Sequence, residues 1–376
     1  MALATDSNRI DTRNYGIDLL RIVSMLMVTV LHFSAFGGMR DGNNKDISFY
    51  LISLFLVISF CAVNVFAMIS GYVMYGSKVK YYHLLRLWFQ VAFYSVGLSF
   101  AEKIITNGTH HIIGSFFPVM TTQFWYFSAY FFMFFFIPFF NEITQRLSKK
   151  VLLSFVGIGF IVLCLFSNIE KFIGNEVFGL YNGYSVIWLS FCYMTGAVIK
   201  KYQSFFLGLS KFRYIIISIV CIILTYINAI VLFDFSLPIG LKLAPREFLL
   251  NYTSPTVFIQ SICLLILFSQ IKIVKAKKFI KILAPASFGV YLIQTHPFIW
   301  NNYLTKFSTF FNNPTAAEKI GLMLGFSVAF YLAASLVDFL RIQLFRLLHI
   351  DLLSKKICEL LGKPIGKIKS IIEKTI

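Results

Sequence analysis

Apolar stretches of about twenty residues recur from one end of this chain to the other, and that is the length a helix needs to cross the roughly 30 Å hydrocarbon core of a bilayer. The stretches are continuous and do not alternate with period two, so they read as membrane helices and not as the strands of a membrane barrel. Ten spans are expected, near residues 15–36, 49–75, 82–105, 123–140, 151–167, 185–199, 214–233, 253–270, 283–303 and 320–340. Of the 376 residues 58% are hydrophobic and 13% charged, which is more apolar surface than a soluble core of this length buries, so lipid must cover the rest. The fold class is an all-α integral membrane protein, a bundle of about ten transmembrane helices.

The net charge of +18 is distributed unevenly. With ten spans, the external connections hold Arg40, Lys45, Lys103, Lys171, Lys242, Arg246, Lys306 and Lys319, which are 8 of the 34 Lys and Arg; the other 26 lie on the side shared by both termini. That asymmetry predicts cytoplasmic termini. The basic excess then reads as a topology signal and as attraction to anionic lipid headgroups, with no nucleic-acid partner expected. The polar start runs its charges straight into the first span, so no cleavable signal peptide is expected and the first helix acts as its own insertion signal. Cys61, Cys164, Cys192, Cys221, Cys263 and Cys358 show no CxxC spacing, and five lie within expected spans. They read as small packing residues, with neither disulfides nor a metal site expected. Two parts are expected: a membrane domain over 1–348 and a basic tail over 349–376, whose Leu and Ile pairs alternate with lysines as in a helix lying on the inner leaflet.

Ionisable side chains cost several kcal/mol inside a bilayer unless they are paired or hydrated, so each one within a span is a functional candidate. The first span carries three, Asp18, Arg21 and His32. Asp18 and Arg21 are three apart and can meet on one helix face. Arg21 and His32 are eleven apart, which at about 100° per residue returns to nearly the same face, about 16 Å further along the axis. Arg21 reads either as a residue reaching for the inner boundary, partly neutralised by Asp18, or as part of a site. His32 reads either as a neutral interhelical hydrogen-bonding group or as a general base, since an imidazole titrates near working pH. At the start of the third span His83 and Arg86 share a face, as cytoplasmic anchors or as an anion site. His110, His111 and His349 read as solvated. His296 precedes Pro297, where a kink frees backbone carbonyls, and reads as a structural interhelical group or a site residue.

Several of these segments together resemble a known family. NYGIDLLRIVSMLMVTVLHF is similar to the first helix of the membrane acyltransferase-3 family, whose mark is an Arg and a His with ten residues between them, here Arg21 and His32. VNVFAMISGYVMY, with Asn64 and Ser70, resembles the family's second-helix signature; QFWYFSAYFFMFFFIPFFN, with Trp125 and Tyr126, resembles its Trp-Tyr helix. NYTSPTVFIQSICLLILF resembles its Tyr-x-Ser-Pro helix and SFGVYLIQTHPFIW its late Gly-x-Tyr-Leu-Ile segment. Two positions depart from the pattern: His83 stands where relatives often carry a further arginine, and Gln294 follows Tyr-Leu-Ile where His is frequent, with His296 two residues on.

The resemblance implies ten helices and transfer of an acyl group, usually acetyl from cytoplasmic acetyl-CoA, to a hydroxyl of a cell-envelope or exported glycan. The form without an added domain looks most like members that modify bacterial polysaccharides, which implies a multi-pass protein of the bacterial inner membrane. A glycan or lipid-linked glycan acceptor is expected with it; a separate, blander reading makes the chain a structural partner within polysaccharide-synthesis machinery. Carried over residue by residue, His32 is the base and Arg21 its partner; Arg86 and His83 join Arg21 as expected CoA-binding residues. Asp18, Asn64, Ser70, Trp125, Tyr126 and His296 are the further site candidates. The rival class is a glycan transporter without transferase activity, since transporters also bury charges at midplane. The paired, broken half-helices of many transporters are not visible in this sequence.

Overall fold

The computed structural model describes residues 13–40, 45–106, 112–121, 123–173, 178–232 and 248–375. The fold is all-helical, 80% helix, with no strand among the described residues. His110, His111, Lys242 and Arg246 lie outside the described residues.

Helix α1 (Tyr15–Phe36) starts where the Asn14 side chain accepts from the Gly16 and Ile17 amides at 3.0 and 3.3 Å, satisfying donors that a helix end otherwise leaves open. Asp46 caps α2 (Ile47–Ser59) in the same way. After a break at Phe60 and Cys61 comes α3 (Ala62–Met74), so the second expected span is a 28-residue apolar stretch with an interruption. Next come α4 (Tyr82–Thr106) and the single turn α5 (Ile112–Ser115). Helices α6 (Trp125–Phe134) and α7 (Ile137–Arg146) meet at 59°. Pro138 explains the bend, because it lacks the N–H that a continuous helix would donate to the Phe134 carbonyl. Helix α8 (Lys149–Gly159) runs through a π-helical segment, Phe160–Phe166, into α9 (Ser167–Ile173).

The second half comprises α10 (Val186–Lys201), α11 (Gln203–Leu207), α12 (Lys211–Ile227), α13 (Pro255–Ser269) and α14 (Lys277–Thr295), then α15 (Pro297–Ile299), α16 (Ala316–Leu347) and α17 (Ile350–Thr375). Six helices are long and apolar enough to cross a membrane, or seven when α6 and α7 count as one bent span. The expectation of ten includes three helices that miss this standard. Helices α10 and α13 have 16 and 15 residues, and α14 begins with Lys277, Lys278 and Lys281.

Helix α1 is central, packed against α2, α3, α13, α14 and α16. Helices α3 and α10 approach most closely through two glycines: a Cβ at Gly71 would lie 1.8 Å from the Tyr193 carbonyl oxygen, and one at Gly196 would lie 2.0 Å from that of Met68. Small residues permit such backbone contact between membrane helices. Replacing Gly71 by Ala forces the pair apart, and the expected loss is about 1–3 kcal/mol, read as a lower melting temperature in detergent. A melting temperature equal to wild type would contradict this packing.

Helices α4 and α16 are joined by a buried carboxylate. Asp338 accepts from Gln90 Nε2 at 3.1 Å, the Tyr94 hydroxyl at 2.8 Å, and Arg341 Nε and Nη2 at 3.0 and 2.8 Å. A left-handed residue, His349 with φ of 50°, turns the chain from α16 into α17. Helix α17 then packs along α4, where Asp351 accepts from Arg86 and the Lys355 ammonium lies 5.3 Å from the Tyr82 ring centroid.

Candidate active site

The first helix brings its three ionisable residues to two places. Near its start, Asp18 is buried and accepts from Arg21 Nη1 at 3.1 Å and from Arg13 Nε. These groups line a cleft of about 380 Å³ with Tyr72 from α3 and Lys200 from the end of α10. Lys200 sits 4.9 Å from the Tyr72 ring centroid. The cleft therefore presents three cations against one carboxylate, an arrangement suited to phosphate groups.

Inward from the cleft, Arg21 is within electrostatic reach of Tyr126 and Tyr130 on α6. The Tyr126 hydroxyl is buried without a hydrogen-bond partner among the described residues, as is the hydroxyl of Ser24, three residues after Arg21 on α1. Buried polar atoms are nearly always satisfied, by protein or by ordered water, so these two hydroxyls are open to a water or to another partner. The Tyr126 backbone N–H donates to the Tyr291 hydroxyl at 3.3 Å, which fixes α6 against α14 at this depth.

His32 lies eleven residues beyond Arg21, about 16 Å along the axis. Its Nδ1 is in hydrogen-bond contact with the side-chain amide of Gln294 on α14, and that amide is tied to the Thr29 hydroxyl at 3.0 Å. The Trp300 ring meets the imidazole edge-on, with centroids 5.0 Å apart, and Phe36 flanks it at 6.3 Å. Among the described residues Nε2 makes no hydrogen bond, and His32 is only partly buried. The imidazole is thus held by one nitrogen and presents the other.

The remaining candidates divide. Arg86 and His83 line a separate cavity of about 540 Å³, with Arg341, Arg346, His349 and Lys355, and Arg86 pairs with Asp351 at 3.2 Å. That cavity shares no lining residue with the cleft at Arg21, so Arg21 is brought together with Arg13 and Lys200 and not with Arg86. His296 is fully buried as the cap of α15. Its Nδ1 accepts from the Phe298 amide at 3.1 Å, which leaves the proton on Nε2, 3.2 Å from the Ser95 carbonyl oxygen. Asn64 donates to the Tyr252 carbonyl and accepts from Trp188 Nε1, both at 2.8 Å, as an interhelical tie. Trp125 stacks on Tyr252, and the Ser70 hydroxyl donates to the Phe66 carbonyl at 3.1 Å.

Sequence reasoning singled out Gln294 only as a departure from a motif and did not single out Thr29, Arg13 or Lys200. Gln294 and His32 are 262 positions apart, and nothing local announces their contact. No cluster of three or more potential metal ligands occurs among the described residues.

The fold is that of a helical multi-pass membrane protein, with an ion-paired arginine and an amide-held histidine on one helix. The chain belongs to the acyltransferase-3 family: the family's acyltransferase domain matches residues 14–337. No curated protein and no solved structure matches it. The protein is therefore a membrane acyltransferase.

Proposed function

We propose that this acyltransferase moves an acetyl group from cytoplasmic acetyl-CoA to a hydroxyl of a cell-envelope or exported polysaccharide, in the inner membrane of a bacterium. The observation that carries the reading is the division of labour along α1, with a cationic cleft at Arg21 and a half-buried imidazole with an open Nε2 at His32. The proposed topology has ten spans, completed by the three helices α10, α13 and α14, with both termini in the cytoplasm. Support comes from the 26 of 34 Lys and Arg that this arrangement puts on the terminal side.

The acyl donor supplies a thioester carbonyl and a thiolate leaving group; the chain supplies the rest. Arg21, Arg13 and Lys200 hold phosphates at the cytoplasmic end, with Asp18 fixing the two guanidinium groups. His32 Nε2 takes the proton of the acceptor hydroxyl as its oxygen bonds to the acetyl carbon, and returns that proton to the sulfur as the thioester bond breaks. The Tyr126 hydroxyl is the donor for charge developing on the carbonyl oxygen. It is buried and unpartnered, and its chain segment is bonded to Tyr291, about one turn from Gln294. Asn64 and His296, whose polar atoms already hold neighbouring backbone, are structural ties in this scheme.

Acetyl-CoA binding to the purified protein in nanodiscs tests the cleft. Arg21→Ala is expected to weaken binding about tenfold or more, because charge-assisted phosphate contacts contribute about 1.5–3 kcal/mol. Arg86→Ala is expected to change it little. A loss confined to Arg86→Ala would move the donor site to the second cavity. In cells, mass analysis of the exported glycan separates the rival class: lost acetyl groups with normal export support transfer, and lost export supports transport.

A further inference from the structure

We infer that the cavity between α4, α16 and α17 is a binding site for the phosphate headgroup of an anionic membrane lipid. Arg86 from α4, Arg341 and Arg346 from α16, and Lys355 from α17 line this volume of about 540 Å³. Among the described residues the single carboxylate in its wall is Asp351. His349, the left-handed residue with φ of 50°, turns the chain between α16 and α17, so that Arg346 before the turn and Lys355 after it reach the same cavity.

The four cations are unequally neutralised by the protein. Asp338 holds Arg341 through Nε and Nη2, and Asp351 holds Arg86 at 3.2 Å. The second pair is exposed on both sides, and an exposed ion pair gains little over its hydrated partners, so Asp351 yields Arg86 readily to a phosphate. Arg346 donates to the Gln343 side-chain oxygen at 3.1 Å, and the Lys355 ammonium lies against the Tyr82 ring. Neither meets a carboxylate among the described residues. Arg341 is only 8% exposed, and its Nη1 makes no hydrogen bond among the described residues. A guanidinium that lines a cavity with one nitrogen unused offers its donors to an anion.

The rest of the wall decides which kind of anion fits. Leu87, Ile342, Phe345 and Leu352 supply an apolar side to the cavity. Leu352 is 52% exposed, and Leu347, Leu348 and Leu353 around the same turn are exposed with it. Leucines clustered at a helix end are unfavourable in water and favourable at the boundary between headgroups and acyl chains, where an amphipathic helix such as α17 is expected to lie. A soluble phosphate compound uses only the cationic side. An anionic lipid uses both, with its phosphate among the guanidinium and ammonium groups and its chains along the leucines, as lipids do in basic pockets between membrane helices.

The full-length protein in detergent micelles is titrated with dioleoylphosphatidylglycerol or dioleoylphosphatidylcholine, and native mass spectrometry counts the lipids retained. Wild type is expected to keep one phosphatidylglycerol about tenfold more tightly than phosphatidylcholine. Arg346→Ala with Lys355→Ala is expected to weaken that binding by about tenfold or more, as the loss of two interfacial cations does. Both residues are exposed and outside the Asp338 pair, so this variant should melt as wild type does. Lys149→Ala with Lys150→Ala removes two exposed lysines that line no part of the cavity and is expected to leave lipid binding unchanged. Glycerol 3-phosphate, which has the phosphate without the chains, is expected to displace the lipid poorly, and acetyl-CoA affinity is expected to be the same in the Arg346 and Lys355 variant as in wild type. Equal retention of the two lipids, or an equal loss in the two double variants, reduces the site to unspecific attraction and overturns the inference. Loss of acetyl-CoA binding in the cavity variant, or ready displacement by glycerol 3-phosphate, makes the cavity a site for soluble phosphates and overturns it as well. None of these measurements depends on acetyl transfer, so the outcome is separate from that of the proposed activity.

Discussion

Replacing His32 by Ala is expected to lower kcat for acetyl transfer by about 10²–10⁴-fold, the range a general base contributes. Acetyl-CoA affinity is expected to stay within a few-fold of wild type, because the cationic cleft is centred on Arg21, about 16 Å away along α1. His32→Gln serves as the more conservative variant: it keeps a polar side chain between Gln294 and Trp300 but cannot take up a proton at neutral pH. Both variants should melt near wild type, since the imidazole makes a single hydrogen bond and edge-on ring contacts. The measurement is single-turnover transfer from labelled acetyl-CoA beside an equilibrium binding assay. Rapid turnover in either variant refutes the role given to His32; loss of affinity with unchanged kcat would instead assign it to donor binding.

The second large effect is on stability. Asp338 is fully buried and accepts from Gln90, Tyr94 and Arg341, the last through both oxygens. Asp338→Ala leaves the Arg341 guanidinium, itself only 8% exposed, without its counter-charge. Breaking a buried pair from one side costs about 3–5 kcal/mol, most of it the uncompensated charge that remains. The double variant Asp338→Ala with Arg341→Met should recover much of the loss, because both charges then leave together. Thermal unfolding in detergent micelles reads both. An Asp338→Ala protein as stable as wild type, or a double variant that loses the sum of the two singles, would contradict this account. Gly289 adds an independent constraint at the same junction, since a Cβ there would meet Asp338 Oδ1 at 2.1 Å.

How much of this was legible in the sequence depends on how local each feature is. The first span is legible to the residue, expected over 15–36 and observed as Tyr15–Phe36, because Asn14 and Gly37 are ordinary start and stop signals at its ends. The spacing from Arg21 to His32 translates directly into a shared face through helix geometry alone. The bend between α6 and α7 is marked only by Pro138 within a run of aromatic residues, and hydropathy reads straight across it. Whether Arg86 joins Arg21 depends on packing, not spacing: α17 lies against α4 and gives Arg86 a carboxylate partner from 265 positions away. Gln294 shows the same limit from the other side. Its departure from the family pattern is visible in the sequence, and its contact with His32 follows only once α14 is laid against α1.

The central claim is acetyl transfer completed within this one chain. Its most direct measurement is incubation of the purified protein in nanodiscs, with no other protein present, with acetyl-CoA labelled in the acetyl group and with unacetylated envelope polysaccharide. The account predicts that label passes to the polysaccharide as base-labile ester, with one free CoA released per acetyl transferred. Unlabelled polysaccharide beside intact acetyl-CoA, from protein that still binds the donor, would contradict it.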